Sequence, residues 1–164
     1  PVSFQHGYPT VDDQYNTTTA FLVRATFPNG VPLEIRDDTE NGTTFEGTEG
    51  RIFVTRDRID VSGGAVPALF KDPVADSVLK ELRKGKPLSG HMENFFACCK
   101  DRGEPVSDVW SHHRALTTCH LANIAIRLGG RKLTWDADKE EIVGDEEANA
   151  MQTRPQRAGY EVTV

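Results

Sequence analysis

The sequence predicts an α+β fold with a largely antiparallel sheet, because its strand signals come first and its helix signals follow. Three observations carry this. Phe21, Val23, Ala25 and Phe27 alternate with Leu22, Arg24 and Thr26, the period-2 mark of a strand. Turn-forming clusters at Pro28-Asn29-Gly30, Asp37-Asp38, Asn41-Gly42 and Gly47-Thr48-Glu49-Gly50 then punctuate the first half at hairpin spacing. Finally, Ser107–Gly130 runs without proline and suits a single helix of about five to six turns.

Residues 1–14 hold two prolines and no periodicity, which predicts an irregular entry. After the Phe21–Phe27 strand, Val31–Arg36 returns as its partner, Thr43–Glu46 begins a third strand, and Arg51–Thr55 is the fourth. Arg58–Val61 is a short fifth candidate. Gly63-Gly64 opens a loop through Pro67 and Pro73. A short helix is expected over Val74–Lys84, with Val78, Leu79 and Leu82 on one side. Ser89 is the expected cap of the next helix, whose Met92, Phe95, Phe96 and Cys99 share an apolar stripe, and Arg102-Gly103 ends it.

In the long helix, Ser107 or Asp108 supplies the N-cap and Gly129-Gly130 the stop. Leu121, Ile124, Ala125 and Leu128 follow the spacing of a buried face, widened by Ala115, Cys119, Ala122 and Ile126. His113, Thr117, His120, Asn123 and Arg127 form a polar seam, read as a hydrogen-bonded core or subunit seam, or else as a substrate-facing wall. Arg131–Trp135 and Glu141–Val143 read as short strands, Asp145–Met151 as a last helical turn or two, and the tail from Arg154 as irregular.

A chain of 164 residues without a low-complexity linker is expected to be one domain. Its net charge of −6 and lack of a basic run argue against a nucleic-acid surface. No apolar run approaches the roughly 18 residues that span a bilayer, and no signal-peptide pattern is present. Three cysteines, two of them adjacent, do not make a disulfide framework, which favours a reducing, cytoplasmic setting while leaving export of a parent protein open. The chain starts at Pro1 and its first methionine is Met92, so a processed product or a fragment is expected.

Neither the G-x-G-x-x-G nor the P-loop spacing occurs, so no cofactor is expected to bind this chain alone. His113 and His120 stand two turns apart on a helix, about 10 Å along its axis, too far to share one metal ion. No metal site is expected. Cys98 and Cys99 sit mid-helix, where buried thiols are usually inert. Asp108 and His112, four residues apart, fit either an acid–base pair or an ion pair at the helix start.

Longer blocks carry a resemblance. They are His91-x-x-Asn94-Phe95; His113-Arg114 with Cys119-His120-Leu121-Ala122-Asn123-Ile124-Ala125; and Leu128-Gly129-Gly130-Arg131-Lys132-Leu133-x-Trp135-Asp136. Gly144–Asn149, Arg154-Pro155-x-Arg157 and the Phe45–Val54 stretch extend them. Together they resemble the C-terminal region of bacterial oxidoreductases of the glucose–fructose oxidoreductase / inositol dehydrogenase / MocA (Gfo/Idh/MocA) family. The chain departs from that pattern at Gly159-Tyr160, where a proline–tryptophan is expected.

The resemblance implies a C-terminal domain of the glyceraldehyde-phosphate-dehydrogenase-like kind, an open sheet with helices on one face, separated from its Rossmann domain. It implies a parent enzyme using NAD or NADP on a sugar, polyol or derivative held between the two domains, and oligomers formed through the sheet. Self-association through the sheet of Tyr15–Thr55 is expected as well, since a strand-rich half with one uncovered face needs a partner. The catalytic lysine of the family lies in a Glu-Lys-Pro motif of the nucleotide domain. Gly85-Lys86-Pro87 lacks the glutamate, and Asp108-x-x-x-His112 lies on a late helix, so no catalytic role is carried over. In a substrate domain the start of the long helix should lie near the cleft. That makes His113 and Arg114 the candidates for touching a small-molecule substrate, with His120 and Asn123 hydrogen-bonded inside the fold. The alternative is a non-catalytic interaction or assembly module.

Overall fold

The second half of the long helix is the most enclosed part of the described chain. In the computed structural model, which describes residues 6–7, 17–63, 74–86 and 90–162, helix α3 spans Val109–Arg127, and Ala122, Ile124, Ala125 and Ile126 are buried. These four wrap well over a third of the circumference, because each residue turns the helix by about 100°. A helix apolar over so wide an arc needs neighbours on more than one side.

The chain divides into two compact units, residues 1–39 with 114–164, and residues 40–113. The boundary falls within α3.

In the first unit the neighbours of α3 are two. On one side stands a three-stranded antiparallel sheet, ordered β1 (His6–Gly7), β2 (Ala20–Thr26) and β3 (Pro32–Arg36). Val23 packs with Ala122 and Ile126, flanked by Phe21 and Ile35. The register pairs Val23 with Ile35 and Arg24 with Glu34. Period-2 alternation therefore sends the apolar pair toward α3, while the Arg24–Glu34 ion pair, 2.6 Å apart, stays exposed. The hairpin closes on three residues: Gly30 takes φ +85°, Phe27 N–H donates to the Val31 carbonyl at 3.0 Å, and Asn29 Oδ1 accepts the Val31 N–H.

On its other side α3 meets the C-terminal block: β7 (Trp135–Asp136), β8 (Glu141–Ile142) and α4 (Glu146–Ala150). Ile124, Ile142 and Ala148 form its centre, with Leu121, Leu128, Leu133, Trp135 and Met151 packed against them. Asn149 ties the block together, since its Oδ1 accepts the Ile142 N–H at 2.7 Å and its Nδ2 donates to the Ile142 carbonyl at 2.6 Å. Asp145 caps α4 by accepting the Ala148 N–H, and also receives Arg131. Between core and block, α3 stops where Gly129 and Gly130 take positive φ; the Gly130 N–H reaches the Ala125 carbonyl and the Gly129 N–H that of Ile126.

The second unit holds the antiparallel sheet β4 (Thr43–Gly47), β5 (Gly50–Val54), β6 (Ile59–Ser62), and the helices α1 (Val74–Leu82) and α2 (His91–Asp101). Of its described residues only Asn94 and Cys98 are buried. Asn94 Oδ1 accepts the Val106 N–H at 3.2 Å and so fastens the loop after α2. Glu93 folds back to accept the Gly90 N–H, a one-sided capping box because glycine has no side chain to reciprocate.

The α+β class holds, with antiparallel pairing throughout the described strands. Those strands form two three-stranded sheets and one of two strands. One expectation needs correction. The entry segment is not wholly irregular, since His6–Gly7 pairs with β2; two residues are too few to show a period. The stripe of Met92, Phe95, Phe96 and Cys99 on α2 is exposed, and the opposite positions Asn94 and Cys98 are the buried ones. The expected loop through Pro67 and Pro73 and the expected cap at Ser89 lie outside the described residues. No helix among the described residues is long and apolar enough to cross a membrane.

Candidate functional site

Asp108 decides where α3 begins. An aspartate before a helix can accept the amide protons that the first turn leaves unpaired. Here its Oδ1 accepts the N–H groups of Trp110 and Ser111, both at 2.9 Å. Its other oxygen lies 3.2 Å from the Lys84 Nζ, which also pairs with Glu104 at 2.7 Å. The Ser111 N–H first, and Lys84 next, hold the Asp108 carboxyl well below the usual carboxylate range. Glu104 first, then Asp108, raise the Lys84 ammonium above its ordinary value.

Lys84 is itself placed by local geometry. It takes φ +51° just past α1, where its N–H reaches the Glu81 carbonyl and that of Gly85 reaches Lys80. Sequence reasoning missed this lysine. The signal was there: a cation one residue before a glycine at a helix end, with acidic residues at 104 and 108 to meet it.

Between acid–base pair and helix-start ion pair, the geometry favours neither as drawn. The Asp108 carboxylate is used by helix amides and Lys84, and His112 Nδ1 lies 3.3 Å from the Asp108 backbone carbonyl instead. Lys86 is no candidate base, because Asp101 pairs with its ammonium and raises its pKa.

His113 and Arg114 occupy the exposed surface of the first turns of α3. The His113 imidazole stands at 90° to the Trp110 indole, ring centres 6.4 Å apart, and Trp110 is 68% exposed. Positions 110 and 113 share a helix face, so this neighbour was legible from spacing alone. What the arrangement offers is an imidazole and a guanidinium, both able to hydrogen-bond a polar ligand, beside an aromatic surface and behind a helix start fixed by Asp108.

The deeper seam does not behave as expected. His120 and Asn123 are exposed rather than hydrogen-bonded inside the fold. Position 123 lies about 100° around the helix from Ala122 and 120 about 160°, outside the arc buried by the sheet and the C-terminal block. Cys98 is buried, whereas Cys99 and Cys119 are exposed. Among the described residues no group of three His, Cys, Asp or Glu side chains is placed to hold a metal ion. A hollow of about 300 Å³ beside the β4–β5 turn is lined by Phe45, Ile52 and the turn itself, and His113 does not border it.

Compared with known proteins, residues 31–162 match the family described as "Oxidoreductase family, C-terminal alpha/beta domain". No curated protein matches the chain, and no solved structure does.

Proposed function

Because the chain belongs to the Gfo/Idh/MocA oxidoreductase family, as its C-terminal alpha/beta domain, we propose that it is the substrate-facing and assembly part of an NAD(P)-dependent oxidoreductase acting on a sugar, polyol or derivative. The family match over 31–162 carries this reading. The exposed His113–Arg114 pair behind a pinned helix start supports it.

The residues present do not fit a dinucleotide. The chain has no glycine-rich phosphate loop. At the start of α3 the amides of Trp110 and Ser111 are already taken by Asp108, so that helix start is not open to a pyrophosphate. In this proposal NAD or NADP supplies the redox chemistry from a separate nucleotide-binding domain, and this chain alone is not catalytic. Its own contribution is binding and orientation. The His113 imidazole and the Arg114 guanidinium hydrogen-bond substrate hydroxyls or order the wall beside them, and Asp108 with Lys84 keeps that turn of helix in place.

The test is His113→Ala in the full-length oxidoreductase. A fall in kcat/KM of about tenfold or more, with an unchanged melting temperature, is expected if the imidazole bonds the substrate. Unchanged kinetics with a lowered melting temperature would make the residue structural and remove the site.

A second reading, a non-catalytic assembly module, is favoured by the exposed Phe27, Val31 and Phe45 of the strand-rich half. Both readings expect copies of the chain to associate through that half. They part on His113→Ala, which the assembly reading leaves without kinetic effect.

A further inference from the structure

We draw no further inference here: the strongest candidate, the exposed apolar stripe of Met92, Phe95, Phe96 and Cys99 along α2, carries nothing because nothing in the structure shows what covers it.

Discussion

Ile142→Ala tests whether the C-terminal block anchors α3. Ile142 is 1% exposed and sits against Ile124 and Ala148, ringed by Leu121, Leu128, Leu133, Trp135 and Met151. The substitution removes three buried carbons, which at about 0.8 kcal/mol each is a transfer loss of roughly 2.4 kcal/mol. A cavity term adds to this, limited by how far Met151 and the leucines can collapse, so about 3–4 kcal/mol is expected, inside the range of ~2–5 for Ile→Ala. With a urea slope of about 2 kcal/mol/M the midpoint falls by roughly 1.5–2 M. Trp135 fluorescence is the assay, in a Trp110→Phe background, because Trp135 packs on the cluster while Trp110 is mostly in water already. A midpoint shift below about 0.5 M, or ~1 kcal/mol, would refute the anchoring argument.

Three further outcomes are expected. Asp108 has a folded pKa depressed below its unfolded value, so its contribution is present above the unfolded pKa, about 3.9, and is lost as pH falls through the folded one. Stability should therefore stay flat through this carboxylate between pH 8 and 5 and decline below about 4; Asp108→Asn should flatten that acid limb in a pH series of thermal melts. Asn149→Ala strips both partners from the Ile142 backbone and should cost about 1–3 kcal/mol, read as a drop of several degrees by calorimetry. Association through the strand-rich half predicts a concentration-dependent mass in sedimentation equilibrium, and a monomer at all concentrations would exclude it.

Legibility followed the range of the forces involved. The limits of α3 could be read because a cap and a stop are local chemistry: Asp108 needs only the next three residues, and the Gly129-Gly130 stop needs only the last turn. The strand pairs of the first half were legible for the same reason, through their turns. Burial was not. Periodicity groups Met92, Phe95 and Phe96 on one face but is silent on whether this chain covers that face, and it does not. Nor could it say that His120 and Asn123 face outward, since that depends on which sides of α3 the sheet and the C-terminal block occupy. The site candidates His113 and Arg114 came from the family resemblance. The support beneath them, Lys84 reaching Asp108 across 24 positions, is a tertiary contact that no local window contains.

The clamp of Asn149 on Ile142 bears on how this chain avoids unwanted assembly. In the β7–β8 ribbon Val143 donates to Thr134, while Ile142 faces Trp135. The N–H and carbonyl of Ile142 therefore point away from the ribbon, toward the place where another strand would join. Open edges of this kind template pairing with a second chain, and proteins blunt them with charges, bulges or covering segments. Here one carboxamide does it, presenting an acceptor and a donor at the spacing of a neighbouring peptide. Strand addition at this edge must first displace that side chain, so Asn149→Ala carries a second liability beyond lost stability: the N–H and carbonyl of Ile142 are left for a competing strand to take.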